Sequence, residues 1–424
     1  MRVATPGAAI LALMWTAACG GGAGAASPSG GMGGAPSSEG GAPGAGAPSA
    51  GAANAGAGGA PVTVTAGQGN LPSSTTCDEP WPAAAPKLVA NVWTRINPSG
   101  PLFKPQGDCF VQGMAIDPCN PSTIYVTSQN FTPSMGGGLY KTVDAGANWT
   151  RVGGLDEPIR VRVDPKDPNH LYAGDGVRGS TLGFWVSKDG GNTWTKPGGF
   201  MALIGKVFGL DDIYDVAVDP ADFKHALLTF HSPWGFDAGD DSGVLETKDG
   251  GDNWITHAPV KGWGAGLNIW FLDNSDSWLL GSQSAGYFRT IDAGKNWNLV
   301  AKIAMTHGGG QLYKAKNAIY TSTGQGVQRS VDDGQTWTQL MNLQPATAVY
   351  GDGTTLYTRA AYGLGEGAFM VSPESGDGSV WMPFGDGSQK FIDGPFEMAF
   401  DATHRIMYSA NWGDGLLALQ LPPQ

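Results

Sequence analysis

An eight-residue motif that recurs along the chain constrains its fold more than any other feature. The motif reads Ser or Thr, any residue, Asp, any residue, Gly, two further residues and Trp. Its copies span residues 142–149, 187–194, 247–254, 290–297 and 330–337. A motif repeated every 40 to 60 residues or so indicates one supersecondary unit per copy, with neighbouring units packed on one another.

Each residue type of the motif suits a tight turn. The Asp side chain can accept backbone amide hydrogen bonds, the hydroxyl braces it, and Gly takes a positive φ. The Trp then packs on the following strand. Because each copy belongs to a different unit, we interpret the motif aspartates as structural and not as a metal or catalytic cluster. They are Asp144, Asp189, Asp249, Asp292 and Asp332.

The motif resembles the Asp-box, or BNR repeat, of sialidases, sortilin-type receptors, xyloglucanases and photosystem assembly-factor propellers. The resemblance covers about residues 90–422 and implies an all-β fold, a seven-bladed β-propeller. The strands around the motif recur as well. Inner strands that end in Asp-Pro lie at Val111–Pro118, Ile159–Pro165 and Tyr214–Pro220, and related segments begin near Leu267, Gly309, Ala346 and Phe396. This pattern predicts seven blades of four strands each.

The two ends of the repeat region predict how the ring closes. The last blade, residues 396–421, has three strands and no motif. The missing strand is found at the other end, where residues 91–96 copy residues 147–152 and place Trp93 in the motif tryptophan position. An N-terminal strand that completes the C-terminal blade would close the ring and remove exposed sheet edges.

The segment before the repeats predicts export and a membrane anchor. Residues 1–19 combine Arg2, a short apolar core and small residues before Cys19, which resembles the lipobox of bacterial lipoproteins. Residues 20–76 are almost entirely Gly, Ala, Ser and Pro, a composition typical of a disordered tether. The propeller domain is therefore placed at residues 77–424, on an exported lipoprotein of the cell envelope whose acylated residue is Cys19.

The remaining cysteines predict one disulfide. Cys109 precedes the inner strand of blade one and Cys119 follows it, so the two lie at opposite ends of the strand and cannot pair. Cys77 leads into an outer strand on the face where Cys119 lies. We therefore predict a Cys77–Cys119 disulfide.

The net charge and the composition limit the classes of partner that we expect. The net charge is −12, with no basic stripe that could neutralise phosphates, so nucleic acid is not an expected partner. The membrane is expected to be contacted through the lipid anchor only. We expect no cofactor and no metal site. The acidic residues 237–241 leave calcium binding open beside a plain solvated loop.

Function is expected on the face opposite the motif turns, because loops on a rigid scaffold and the mouth of a central channel offer concave surfaces. Candidate ligand-binding residues on this face are Asn130, Arg160, Arg178, His231, Trp234, Trp263, His307, Arg359, Tyr362 and Trp412. The tryptophans and Tyr362 could stack on sugar rings or pack under their own loops.

Asp215 and Glu397 are the candidate catalytic residues. Both occur near the start of otherwise apolar inner strands, at the position that Arg160 takes in blade two. They could act as an acid/base pair across the channel, as in inverting glycosidases, or simply hydrogen-bond to channel water.

Three functions remain open from the sequence. The first is a surface propeller that binds polysaccharide, glycoconjugate or a cell-envelope protein. The second is a glycoside hydrolase of xyloglucanase or sialidase type, although the Arg-Ile-Pro segment of sialidases is absent and Gln129-Asn130 stands near the place of the xyloglucanase aspartate. The third is an assembly or scaffold factor. Whether the protein is an enzyme is not decided by the sequence.

Overall fold

The computed structural model describes residues 80–423 apart from residues 99–109, 130–136, 178, 205, 207–209, 235–238, 308, 343–344, 361–363, 377 and 379. The described strands form seven separate antiparallel sheets arranged as a seven-bladed β-propeller. The predicted fold class is confirmed. The predictions for residues 1–76, Cys77 and Cys109 concern positions outside the described residues.

The strands follow the chain in blade order. β1 (Trp93–Arg95) precedes blade one, which contains β2 (Phe110–Ile116), β3 (Ile124–Gln129), β4 (Gly138–Thr142) and β5 (Thr150–Val152). Blade two contains β6 (Pro158–Asp164), β7 (Asp167–Asp175) and β8 (Gly183–Ser187), followed by helix α1 (Gly198–Ile204). Blade three contains β9 (Ile213–Val218), β10 (Ala226–Phe230), β11 (Val244–Thr247) and β12 (Ile255–His257).

The remaining four blades repeat the same antiparallel order. Blade four contains β13 (Asn268–Phe271), β14 (Trp278–Ser282), β15 (Gly286–Thr290) and β16 (Asn298–Ala301). Blade five contains β17 (Leu312–Lys314), β18 (Ile319–Thr323), β19 (Gly326–Ser330) and β20 (Thr338–Asn342). Blade six contains β21 (Ala346–Gly351), β22 (Thr355–Ala360), β23 (Met370–Pro373) and β24 (Met382–Pro383). Blade seven contains β25 (Pro395–Asp401), β26 (Ile406–Asn411) and β27 (Gly415–Gln420), with β1 as its fourth strand.

The N-terminal strand closes the ring as predicted. β1 pairs antiparallel with β27, with Trp93 opposite Leu419. The Trp93 ring is buried and stacks on Phe369 of blade six at 4.3 Å between centroids. The side chain of Gln389 fixes the same strand, because it accepts from Trp93 N at 3.1 Å and donates to Trp93 O at 2.7 Å. Blade seven is thus completed by the start of the chain and packed on blade six.

Blade two departs from the predicted four strands. Its sheet has three strands, and a single bridge between Val186 and Thr195 stands in place of the fourth. Pro197 follows two residues later and has no amide hydrogen to continue the ladder. Its carbonyl instead accepts from Met201 N at 3.0 Å, within the first turn of α1. The prediction of four strands in every blade was therefore wrong for blade two.

The turns divide the propeller into two faces. The turns between first and second strands and those between third and fourth strands share one face, here called the lower face, since Ala145 N donates to Ser122 O at 2.8 Å and Gly190 N donates to Asn169 O at 3.0 Å. The loops between second and third strands and the connections between blades form the opposite, upper face. All five motif turns lie on the lower face.

The motif turns have the predicted hydrogen bonds. In blade four, Thr290 Oγ1 donates to Asp292 Oδ1 at 2.8 Å and accepts from Gly294 N at 3.1 Å, while Asn296 N donates to Asp292 Oδ1 at 2.9 Å. The same contacts recur in the other four turns. The aspartates are thus engaged locally, which fits a structural role.

One feature of the motif turns was not anticipated. The residue before the motif glycine also has a left-handed backbone, and it is Ala145, Ala293 or Asp333 in three of the turns, with φ between +55° and +57°. Glycine fills this position in the turns of blades two and three. The hydrogen bonds to the motif hydroxyl and carboxylate therefore hold non-glycine residues in a conformation that they rarely adopt.

Cys119 lies in the turn between β2 and β3, on the lower face, and is disulfide-bonded. Its partner lies outside the described residues, so the Cys77–Cys119 pairing stays a prediction. The segment that precedes β1 reaches the ring on the same face, where Trp81 packs on the His404 ring at 4.0 Å.

Candidate functional site

The central channel holds a network of four buried charges. Arg160 Nε donates to Asp215 Oδ1 at 3.1 Å, and Arg162 Nη1 donates to Glu397 Oε1 at 3.0 Å. Arg162 Nη2 also lies 3.6 Å from Asp215 Oδ1. All four side chains are at most 8% exposed. The two candidate catalytic carboxylates therefore meet in the channel, but one guanidinium contacts both of them.

Backbone and side-chain amides also donate to the two carboxylates. Asp215 Oδ1 also accepts from Val216 N at 2.9 Å, and its Oδ2 accepts from Asn268 Nδ2 at 3.0 Å. Glu397 Oε2 accepts from Met114 N, in blade one, at 2.9 Å. These contacts connect the inner strands of neighbouring blades, so both carboxylates hold the ring together as well as pairing with the arginines.

The electrostatics of the network are balanced. The network pairs two guanidinium groups with two carboxyl groups, so its formal charges are equal in number. Burial alone would lower the pKa of Arg160, but the charges of Asp215 and Glu397 outweigh this effect and raise it. A buried ion pair of this kind persists because every charge has a partner.

The cavity around this network is small. It is lined by the four charged residues together with Asn268, Trp270, Gln311 and Phe396, among others. Its volume is about 40 Å³, which is room for only a few waters. In this arrangement the Arg162 guanidinium lies within 3.6 Å of both carboxylates.

Two of the candidate histidines are linked on the upper face through Gln283 and Tyr214. His307 Nδ1 lies 2.8 Å from Gln283 Oε1, and Gln283 Nε2 donates to Tyr214 OH at 3.2 Å. The His231 ring lies 5.7 Å from the Tyr214 ring. His307 is exposed and the His231 side chain is 35% exposed. We call these four residues the histidine rim: Tyr214, His231, Gln283 and His307.

Asp212 contacts the histidine rim through His231. It accepts hydrogen bonds from Val177 N and from Ser232 Oγ, and its Oδ2 lies 3.4 Å from His231 Nδ1. Burial opposes the charge on Asp212, but the contacts from His231, Ser232 and Val177 prevail and lower its pKa. The Asp212 carboxylate thereby contacts His231 and joins the loops of blades two and three.

Most of the aromatic candidates pack within the protein. Trp234 is buried and contacts Phe230 edge to face, with 5.3 Å between centroids. Trp263 is also buried and contacts Trp297 at 5.1 Å. Trp412 is half-buried and stacks on Phe396 at 5.1 Å. Of these three tryptophans, only Trp412 is partly exposed.

Arg359 is enclosed by backbone. Its guanidinium donates to the carbonyls of Gly367, Gly365, Phe391 and Ala360 at 2.5 to 3.0 Å. The side chain is 1% exposed, and burial lowers its pKa. Each of its three nitrogens donates to a backbone carbonyl, so Arg359 holds the surrounding loops together. Asn130, Arg178, Tyr362 and Asp237 lie outside the described residues.

Three residues of the site were not predicted from the sequence. Arg162 lies two residues after Arg160 on β6, and the alternation of a strand places both on the same side, so its presence in the channel could have been inferred. Tyr214 precedes Asp215 at a bulge in the β9 pairing, which the sequence does not reveal. Gln283 lies in a short loop with no distinguishing pattern.

Within the described residues, no three His, Cys, Asp or Glu side chains are arranged to hold a metal ion. In the same part of the chain, no helix has both the length and the apolar character needed to cross a bilayer.

Comparison with known proteins shows the fold. No family model matches the sequence, and no curated protein matches it. Among solved structures, the chain is similar to YCF48 from Cyanidioschyzon merolae, with a TM-score of 0.53, 13% identity, and coverage of 79% of this chain and 99% of that one. YCF48 bound to D1 peptide is similar at a TM-score of 0.53 and 15% identity, with coverage of 80% and 100%.

An ancestral GH74 enzyme is similar at a TM-score of 0.52 and 16% identity, and 77% of this chain covers 46% of that enzyme. The chain thus spans about half the length of the GH74 enzyme and the whole length of the YCF48 structures. At these identities the likeness shows the fold alone, a seven-bladed propeller.

Proposed function

We propose that the protein is a non-catalytic binding propeller, whose ligand lies on the upper face over the mouth of the channel. The observation that carries this proposal is the position of Arg162 between Asp215 and Glu397. A glycosidase needs one carboxyl that donates a proton and one that activates water or attacks, with the substrate between them. Here both carboxylates are paired with arginine around a cavity for a few waters only.

The histidine rim is the proposed contact surface. Its imidazole, amide and phenol groups can each donate or accept hydrogen bonds, and Trp412 is a partly exposed aromatic residue of the same upper face. This chemistry suits a hydroxyl-rich ligand, so we favour a polysaccharide or glycoconjugate. His231 and His307 are the residues expected to bind it, with Gln283 and Tyr214 orienting them.

The proposed setting is the cell envelope. Export and acylation at Cys19 would place the propeller at a membrane, with residues 20–76 as the tether. In this proposal the Asp-box repeats are scaffold only, since the aspartates of the motif turns are engaged by their own turns on the lower face.

A second candidate is a polypeptide segment of a cell-envelope protein. The observation that favours it is size, because the chain matches the full length of a propeller described as bound to a peptide. The histidine rim would then hydrogen-bond to peptide groups in place of sugar hydroxyls.

The experiment is a paired screen of a glycan array and a peptide array with the protein from residue 20 onward. We expect a hit on one array, weakened at least about tenfold by His231→Ala combined with His307→Ala, which corresponds to about 1.4 kcal/mol. His170→Ala, a histidine on the lower face, is the matched control. Equal weakening by the control, or none by the rim variant, would refute this location of the site.

A further inference from the structure

A cavity separate from the channel lies on the lower face, between blade seven and the segment that precedes β1. Its volume is about 240 Å³, against about 40 Å³ for the cavity in the channel. The residues that line it are Trp81, Pro86, Leu88, His404, Ile406 and Gln420. The cavity therefore forms where the segment at residues 80–92 meets the turn after β25 and the end of β27.

Contacts within the protein fix the walls of this cavity. Asn91 N donates to Gln420 O at 2.9 Å, which attaches the segment to β27. The Trp81 ring packs on the His404 ring at 4.0 Å between centroids, and Leu88 packs against the core between blades one and seven. A ligand would enter a preformed site, so it would not have to order the segment in order to bind.

The imidazole of His404 has its tautomer set by Asp401. The Asp401 Oδ2 atom lies 2.7 Å from His404 Nδ1, and Asp401 Oδ1 accepts from Thr403 N at 2.9 Å and from His404 N at 3.1 Å. A carboxylate at this distance holds the imidazole hydrogen on Nδ1 and makes the other nitrogen a better acceptor. Among the described residues His404 Nε2 has no hydrogen-bond partner, so it can accept from a ligand.

Gln420 and Trp81 supply the other polar groups of the cavity. Gln420 Nε2 donates to His404 O at 2.8 Å, to Leu421 O at 3.2 Å and to Arg405 O at 3.3 Å. These contacts engage the amide nitrogen and leave the amide oxygen as an acceptor. The Trp81 indole adds one N–H donor. With a neutral imidazole, no residue of the lining carries a formal charge.

This lining selects a class of ligand. The other lining residues, Pro86, Leu88 and Ile406, are apolar, and a charged ligand would lose its hydration without gaining an ionic partner. A sugar has more hydroxyls than the lining has polar groups, and unpaired hydroxyls are costly to bury. A phenol has one apolar ring and one hydroxyl that donates and accepts. The volume lies below the range of about 300 to 1,000 Å³ of drug-sized sites, which fits a single ring.

We propose that this lower-face cavity binds a small neutral phenol, whose ring packs against Trp81 and Ile406 and whose hydroxyl donates to His404 Nε2. The inference goes beyond the proposed function, because it concerns the opposite face and does not depend on what the histidine rim binds. One wall of the cavity belongs to the segment at residues 80–92. A bound phenol would therefore also hold this segment to blade seven.

The test is a titration of the full chain with p-cresol, followed by saturation-transfer NMR. We expect a Kd below about 1 mM. Toluene has the same ring and methyl group without the hydroxyl, and it should bind at least about tenfold more weakly because His404 Nε2 stays unpaired. Methyl β-glucoside should not displace p-cresol. This comparison uses the unaltered protein, so it is decisive even if a variant does not fold.

Three variants locate the binding site. Trp81→Ala removes a wall and should weaken p-cresol binding at least about tenfold. Trp185→Ala is the matched control, since Trp185 is also half-buried but lies in blade two, and it should leave the Kd unchanged. His404→Phe keeps a ring beside Trp81 and removes the acceptor. It should lower the affinity for p-cresol to that for toluene, while toluene binding persists and shows that the cavity is intact.

Several results would overturn the proposal. They are an absence of p-cresol binding at about 5 mM, equal affinities for toluene and p-cresol in the wild type, and displacement of p-cresol by methyl β-glucoside. An unchanged Kd for p-cresol in Trp81→Ala or in folded His404→Phe would refute it as well. Equal weakening by Trp185→Ala and Trp81→Ala would show that the phenol binds elsewhere.

Discussion

The Arg162 guanidinium donates to Glu397 Oε1 at 3.0 Å and so connects blade two with blade seven across the channel. Blade one lies between them in the ring, and its Met114 N donates to the same carboxylate. The buried Glu397 carboxylate therefore contacts residues of two other blades. We expect its main contribution to be to the stability of the fold.

Removing Glu397 should destabilise the fold. Glu397→Ala leaves Arg162 without that buried partner, and we expect the free energy of unfolding to fall by about 3 to 5 kcal/mol. Chemical denaturation measures this loss. Glu366→Ala, an exposed acid on blade six, should change stability by less than about 0.5 kcal/mol. A loss below about 1 kcal/mol for Glu397→Ala would contradict the structural role of the network.

Closure of the ring makes Trp93 a stability determinant. The side chain is 3% exposed, so Trp93→Ala should cost about 3 to 5 kcal/mol. Its neighbour Val92 is 40% exposed, and Val92→Ala should cost less than about 1 kcal/mol. Similar unfolding midpoints for the two variants would mean that the N-terminal strand does not complete blade seven.

The fold could be predicted because its signal is local. Each motif turn forms most of its hydrogen bonds within eight residues, so the sequence of one turn suffices to recognise it, and residues 91–96 repeat the strand that follows the turn of blade one. The prediction of a fourth strand in blade two was wrong because Pro197 and α1 follow the bridge at Thr195. The repeated motif carries no information about these residues.

The site could be predicted only in part. The sequence placed Asp215 and Glu397 in the channel, but their contact through Arg162 depends on the diameter of the ring. Burial of Trp234, Trp263 and Arg359 depends on how the upper loops fold over them, which no motif specifies. His231 and His307 come from different blades and meet through Tyr214 and Gln283.

A buried cluster in blade three predicts sensitivity to acid. Glu246 accepts from His225 Nε2 and from His257 Nε2, each at 2.9 Å, and lies 3.2 Å from Lys248 Nζ. Burial would raise the pKa of Glu246, but these contacts outweigh it and lower the pKa far below the ordinary 4.5. The stabilisation is therefore present above about pH 4.5 and is lost as pH falls toward the folded-state pKa.

Glu246→Gln should reveal this contribution. At about pH 7 we expect the variant to be less stable than the wild type by about 3 kcal/mol, and the difference should narrow below about pH 4.5. Urea unfolding across this pH range gives both values. A difference that stays constant or grows on acidification would contradict the assignment.

The left-handed residue before the motif glycine offers a stabilising change. Ala293 has φ of +55°, where glycine has no steric penalty. Ala293→Gly should raise the free energy of unfolding by up to about 1 kcal/mol, as the relief of strain exceeds the added entropy of the unfolded chain. Ala402→Gly, at an exposed turn residue outside the positive-φ set, should lower stability. Destabilisation by Ala293→Gly would contradict the interpretation that the backbone at Ala293 is strained.

The most direct test of the central claim is release of reducing ends from a panel of polysaccharides that includes xyloglucan. We expect bound polysaccharide to remain uncut by the wild type, at the level of an Asp215→Asn blank, because Arg160 and Arg162 pair with both channel carboxylates. Release by the wild type that is abolished in folded Asp215→Asn or Glu397→Gln, with binding intact, would show that the propeller is a hydrolase.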